Sequence, residues 1–428
     1  MKHPLVEKRY RITFVLITSL FALWGFANDI TNPMVAAFQT LLELSAAKAS
    51  LIQFAFYGGY ATMAIPAALF IRRYSYKRGI QVGLLLYAIG AFLFIPAAAY
   101  QQFSFFCLSL YILTFGLAFL ETTANPFILS LGSKDTSTRR LNLAQAFNPI
   151  GSLCGMAIAS TIVLPRLISD QRNAAGDIVY HVLSEAEKAA IRLHDMTIIR
   201  DPYVVLGIVV LAVLAIVTVV KMPAMTGKGE QLDAKASLRR LWKNRLYRQG
   251  VATQLFYVAA QIMVWTFIIQ YADNLGIDKA TAQMYNIVAM SLSLTGRFAG
   301  TWLMKYVSSR KLLTVFAVGA TLATLGAILI VGMAGLYCLV AISAFMSIMF
   351  PSIYGIALEE VEQRDTTLGA AFLVEAIVGG SILPPVQGWI IDQGTVFGLP
   401  AVNFSFVLPL ICFAIIFLYG RQAMRKQA

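Results

Sequence analysis

Four ionisable side chains stand inside runs of otherwise apolar sequence: Asp29, Glu121, Arg297 and Glu375. A charge held away from water is costly, so an ionisable group at such a position is a candidate for function. Glu121 lies in the stretch LETTANP, one helical turn before Asn125 on the same face, with Pro126 loosening the backbone beyond. A carboxyl stripped of water favours its neutral form, and loading and releasing a proton is the chemistry such a group can perform. Asp29 and Glu375 are further candidates to carry that proton. Glu375 precedes Gly379, Gly380, Pro384 and Pro385 in FLVEAIVGGSILPP, a sequence expected to form a bendable helix. Arg297, in SLTGRFAG, is placed to snorkel towards the end of its helix or to pair with Glu359 or Glu360; a gating role is the alternative.

Neutral polar residues recur at helical spacing around these acids. The first apolar run carries Asn28, Asp29, Thr31 and Asn32; the fifth carries Gln145, Asn148 and Ser152; the seventh carries Gln254, Tyr257, Gln261 and Trp265. Steps of three and four place each set on one helix face, which must turn away from lipid. Amides offer paired donors and acceptors to hydroxyl groups, and Tyr and Trp rings stack on the C–H faces of a pyranose. The candidate sugar-contacting set is therefore Asn28, Asn32, Asn125, Gln145, Asn148, Gln254, Tyr257, Gln261 and Trp265. For any one of these residues, interhelical hydrogen bonding is the competing explanation.

The elements that must position these residues are membrane helices. Hydrophobic residues make up 58% of the 428 and charged residues 13%, against about 25% charged in a soluble domain. With about 20 residues per crossing, apolar runs near 12–39, 47–70, 79–99, 103–131, 141–164, 203–220, 250–272, 280–306, 312–331, 336–358, 367–391 and 401–419 predict twelve spans. Such a division leaves no room for an extramembrane catalytic domain. The net charge of +13 follows from topology: with both termini placed inside, most of the Lys and Arg fall in the inner segments. Hence the basic balance implies membrane lipid as a neighbour and excludes nucleic acid. The basic N-terminus reads as the lead into a retained first helix, because the apolar stretch after it is too long for a signal peptide. Cys107, Cys154, Cys338 and Cys412 all lie in spans, so no disulfide framework is expected. His3, His181 and His194 all lie outside them, which argues against a metal or haem site in the membrane.

The chain divides six plus six, with halves at 1–222 and 247–428 joined by a basic linker at 223–246. Within the linker, SLRRLWKNRL could form a short amphipathic helix on the anionic inner leaflet, or remain a solvated connection. One internal match supports a duplication: AALFIRRYSYKR at 67–78 lies over GTWLMKYVSSRK at 300–311. Parallel repeats with the substrate site at their interface are one transporter architecture. In the long loop at 165–202, Ser184-Glu185-Ala186-Glu187 reads as a capping box that starts a short external helix ending near Leu193.

With these features together, the sequence resembles the fucose permease (L-fucose:proton symporter) family of the major facilitator superfamily over nearly its whole length. The most specific stretches are LETTANPF at 120–127, RLNLAQAFN at 140–148, FYVAAQIMVW at 256–265, GRFAGTWL at 296–303 and FMSIMFP at 345–351. That resemblance implies an all-α integral membrane protein with two six-helix halves, moving a monosaccharide, L-fucose first, with protons by alternating access. It implies no cofactor beyond the coupling proton, a monomer, and a bacterial cytoplasmic membrane. Glu121 matches the family's fourth-helix coupling glutamate, and Gln145 and Asn148 its fifth-helix sugar-contacting amides. Three departures bear on the sugar. Asp29 and Asn32 stand where the family has asparagine and then aspartate, Met349 and Phe350 replace more polar residues, and Glu375 has no acidic counterpart. The rivals are another hexose, sodium coupling or drug/proton antiport. A non-transporting sugar sensor would need an output domain, and an enzyme acting on lipid-linked sugars would need paired acids or a metal at one interface.

Overall fold

The computed structural model describes residues 4–44, 46–169, 171, 179–223, 234–277 and 279–426. The first half by sequence contains α1 (Arg11–Leu41), α2 (Ala46–Arg73), α3 (Tyr76–Phe92), α4 (Phe94–Tyr100), α5 (Phe103–Ser130), α6 (Ser137–Gln145), α7 (Phe147–Ile158) and α8 (Glu185–Val219). After the linker helix α9 (Ala234–Lys243) come α10 (Arg245–Asp273), α11 (Lys279–Leu303), α12 (Ser309–Leu329), α13 (Met333–Met346) and α14 (Met349–Glu359). The chain closes with α15 (Thr366–Glu375), α16 (Gly379–Ile391), α17 (Ala401–Ser405) and α18 (Val407–Arg425), with a two-stranded turn, Thr395–Val396 against Leu399–Pro400, before α17.

Ten segments among the described residues are helical, long and apolar enough to cross a membrane. The helices α2 and α11, 28 and 25 residues long, fall on the other two of the twelve expected spans. Several spans are broken: α3/α4, α6/α7, α13/α14, α15/α16 and α17/α18 each form one crossing from two pieces. The expected bend beyond Glu375 is one of these breaks, a 3₁₀ turn over Ala376–Val378.

By packing, the chain forms two compact units, one of residues 16–124 and 150–224, the other of 1–15, 125–149 and 225–428. In the first, α8 packs along α3 and α4, where Phe94 stacks on Tyr203 at 3.8 Å with rings 8° apart. A Cβ on Gly116 would stand 2.4 Å from the Tyr87 nitrogen, so α5 needs glycine there to lie against α3. In the second unit, α10 packs on α14, α16 and α18, and α12 on α13 and α18.

The capping box at Ser184 forms as expected, with its hydroxyl and the Glu187 carboxylate exchanging bonds with each other's backbone. The helix it starts does not stop near Leu193. It runs 35 residues without interruption into the sixth span, so the expected external helix and span 203–220 are one element. Pro202 removes one main-chain bond without ending the helix. Side chains hold its N-terminal half in place: the buried Asp195 carboxylate accepts from the Ile168 and Ser169 nitrogens at 3.1 and 2.8 Å, and Lys188 reaches Glu43 at 2.8 Å.

The linker sequence does form a helix, and α9 docks on its own unit rather than standing free. Arg240 makes a bidentate pair with Asp365, 2.7 and 2.9 Å, Leu241 is buried, and Trp242 meets the Phe372 ring edge-on at 5.9 Å. The internal match also has a structural counterpart. The Ser75 hydroxyl caps α3 by accepting from the Arg78 nitrogen, and Ser308 caps α12 by accepting from Lys311.

Candidate functional site

The two candidate acids in the first unit's spans are both buried, Glu121 on α5 at 8% exposure and Asp29 on α1 at 6%. Each has a tyrosine of α2 within electrostatic reach, Tyr60 for Glu121 and Tyr57 for Asp29. Tyr60 is held in turn by Trp24, whose indole N–H donates to its hydroxyl at 2.8 Å; Trp24 stacks on Phe21. A phenol within electrostatic reach of a carboxyl is sensitive to its change of charge, which suits a proton-loading site. On the α1 stripe, Thr31 bonds to the Ala27 carbonyl and the Tyr203 hydroxyl at 2.7 and 3.0 Å, tying α1 to α8. Asn28 is half-buried. The side chain of Asn32 lies outside the described residues.

In the second unit, Asn125 and Gln145 come together. The Gln145 amide donates to the Asn125 side-chain oxygen at 2.9 Å, joining α5 to α6, while the Asn125 amide nitrogen is buried with no hydrogen-bond partner among the described residues. Asn148 follows half-buried on α7. On α10 the four candidates line one face. Gln254 is fully buried with both amide atoms unpartnered among the described residues. Tyr257 is also fully buried, its hydroxyl donating to the Met346 carbonyl at 3.2 Å and its ring meeting Phe350 edge-on. Gln261 and Trp265 are half-buried, and the Trp265 indole donates to the Ser343 hydroxyl at 3.2 Å. Glu375, at the end of α15, is half-buried and within electrostatic reach of Tyr247.

Arg297 departs from both of the blander expectations. It is buried at 5% exposure rather than snorkelling, and its guanidinium donates to the main-chain carbonyls of Ser347 and Gln145, at 2.6 and 2.8 Å. Glu359 is taken by Arg310 at 2.9 Å and Glu360 by Lys426 at 2.6 Å. Sequence reasoning also passed over Tyr57, Tyr60 and Asn142, whose amide donates to the Ser352 hydroxyl at 3.4 Å. The signal for the tyrosines was available: two hydroxyl-bearing rings three residues apart within a predominantly apolar span.

Spans broken near their middles, acids buried inside them and a capped basic turn repeated in each half are features of a membrane carrier. The sequence profile of the Major Facilitator Superfamily matches residues 15–384. The chain belongs to that superfamily.

Within it, the chain is 60% identical over 426 residues to the L-fucose-proton symporter of Haemophilus influenzae, covering 99% of each chain. It is 35% identical to the L-fucose-proton symporter of Escherichia coli, over 97% of this chain and 94% of that one. At 30% identity and the same coverage comes a glucose/galactose transporter of Brucella abortus. Among solved structures, a crystal structure of the major facilitator superfamily transporter FucP in the outward conformation matches with a TM-score of 0.87 at 34% identity, over 97% of this chain and 99% of that one. The chain is an all-α, multi-pass membrane transporter of this superfamily.

Proposed function

We propose that this protein imports L-fucose together with protons, by alternating access of a single site to the two sides of a bacterial cytoplasmic membrane. The observation that carries the reading is the 60% identity, over nearly the full length of both chains, to an L-fucose-proton symporter. The half-way drop in identity to the glucose/galactose transporter favours fucose over other hexoses. Both termini are on the cytoplasmic side, the protein works as a monomer surrounded by lipid, and residues 1–222 and 247–428 move as two halves about the linker 223–246.

Glu121 carries the coupling proton. Its burial within electrostatic reach of Tyr60 supports this, because charging a carboxyl away from water is costly and neutralising it permits closure. Asp29, beside Tyr57, and Glu375 share the proton-coupling role. Asn28, Asn32, Asn125, Gln145, Asn148, Gln254, Tyr257, Gln261 and Trp265 contact the sugar. The unpartnered amides of Asn125 and Gln254 support this assignment, since a buried amide without a partner is costly unless a ligand's hydroxyls complete it. A competition assay checks the sugar: unlabelled L-fucose should displace labelled L-fucose from the purified protein at far lower concentration than D-glucose or D-galactose. The reverse order would assign the chain to the hexose transporters.

A further inference from the structure

The motifs LAQAFNP, GRFAG and FMSIMFP share a feature that neither the sugar nor the proton uses. Pro149 and Pro351 have no N–H, so the carbonyls four residues before them, Gln145 and Ser347, lose their helical donor. Both carbonyls also lie where a helix ends, α6 at Gln145 and α13 at its cap, Ser347. The guanidinium of Arg297 bridges them, Nε to Ser347 at 2.6 Å and Nη1 to Gln145 at 2.8 Å. Its reach is set by close packing. A Cβ on Gly296 would stand 2.7 Å from the Ala344 carbonyl oxygen and one on Gly300 2.4 Å from the Ile348 side chain, so α11 lies directly against the α13/α14 break. Two helix C-termini each present partial negative charge, which is how a buried cation is accommodated by main-chain oxygen.

Lesser contacts join the same elements. Arg139 donates from Nε to the Thr301 carbonyl at 3.1 Å, and Asn142 to the Ser352 hydroxyl. Arg140, fully buried, donates to the Ile128 and Leu129 carbonyls at 2.7 and 2.6 Å, fixing α6 rigidly to the end of α5. Residues 125–149 belong to the first six spans by chain order and to the unit of the last six by packing. Arg297 is the buried charge that grips them there.

We propose that Arg297 is a positioning residue of the transport cycle: a latch that holds the cytoplasmic side closed through two proline-orphaned carbonyls, released when sugar engages the Gln145 amide. Neither acceptor titrates, so the latch does not itself respond to proton loading; the Gln145 carbonyl shares its residue with an amide assigned to the sugar. The release step rests on the L-fucose reading, whereas the latch does not.

The test places spin labels at Lys134→Cys and Gln363→Cys, exposed positions in the loops before α6 and before α15, in full-length protein without other cysteines, reconstituted in lipid nanodiscs. Without sugar, the short inter-label distance should dominate in the otherwise unaltered protein. Arg297→Gln should raise the long-distance population about tenfold, Arg297→Lys should partly restore the short one, and Glu359→Gln should leave it unchanged. Arg139→Gln, at a less buried site, should shift the population in the same direction by a smaller factor and serves if Arg297→Gln does not fold. An unchanged distribution in both arginine variants would overturn the latch. A Glu359→Gln shift as large as that of Arg297→Gln would replace it with an acid pair. Added L-fucose should lengthen the distance only where Arg297 is present. If L-fucose binds yet leaves the unaltered protein's distances unmoved, the sugar-linked release is wrong. Absence of L-fucose binding would contradict the substrate reading instead, leaving the sugar-free comparison to decide the latch.

Discussion

At the scale of single residues, Glu121 is the buried acid on which proton coupling is proposed to turn. Replacing it with glutamine keeps the shape and removes the proton, so Glu121→Gln should abolish accumulation of labelled sugar against a gradient while sparing counterflow exchange between loaded and external sugar. A variant that still accumulates would remove Glu121 from the coupling role. Gln254 gives a second expectation of opposite sign for stability and function. An unsatisfied buried amide costs about 1–3 kcal/mol, so Gln254→Met should raise the unfolding temperature of the sugar-free protein and weaken sugar binding; a thermal melt with and without L-fucose reads both. Asp29, Glu121, Arg297 and Glu375 were all legible in the sequence, because a charge in an apolar run announces itself. Their partners were not. Nothing in the spacing of Arg297 says that it takes carbonyls rather than Glu359, since that choice depends on where Pro149 and Pro351 break two other helices.

At the scale of elements, the spans were readable from hydropathy, as were the capping box at Ser184 and the repeated basic turn, because each depends on residues close in sequence. The continuity of α8 was not, because the contacts that seat its first half, Asp195 with the 168–169 backbone and Lys188 with Glu43, reach positions as far as 145 residues away. That contact predicts a pH response. The Lys188 ammonium chiefly, with His181 assisting, holds the Glu43 carboxyl below its ordinary value of 4.5, against a smaller opposing effect of burial; Glu43 likewise holds Lys188 above 10.5. The Glu43 contribution is therefore complete above the ordinary carboxylate value and lost as pH falls through the lowered one. The Lys188 contribution is complete below 10.5 and lost as pH rises through the raised value. Between those limits the tether holds the α1–α2 turn, where Glu43 itself adopts a left-handed φ of 49°. Hydrogen-exchange protection in that turn should drop several-fold in Glu43→Gln at pH 7, and the variant and parent should converge as pH falls through the lowered Glu43 value. Equal protection at pH 7 would show that the tether contributes nothing. Arg140 makes a separate test of the α5–α6 corner. Arg140→Met leaves the last carbonyls of α5 without donors and should destabilise the protein by about 2–3 kcal/mol, read as a lowered melting temperature.

At the scale of the whole molecule, the two halves suggested by composition and the internal match are not the units that packing makes, since 125–149 groups with the last six spans. Sequence periodicity cannot anticipate this, because the grouping comes from contacts such as Arg297 to Gln145, which lie 152 positions apart in the chain. The energetic frame is simple: one positive charge moved inward over 100 mV supplies about 2.3 kcal/mol, close to fiftyfold accumulation of a co-transported sugar. The measurement that tests the central claim most directly is uptake of radiolabelled L-fucose into proteoliposomes, with a proton gradient imposed and then collapsed by an uncoupler. Labelled L-fucose should accumulate above the external concentration, and that accumulation should disappear on uncoupling and be untouched by removing sodium. Uptake that only equilibrates, or accumulation that survives the uncoupler, would contradict that claim.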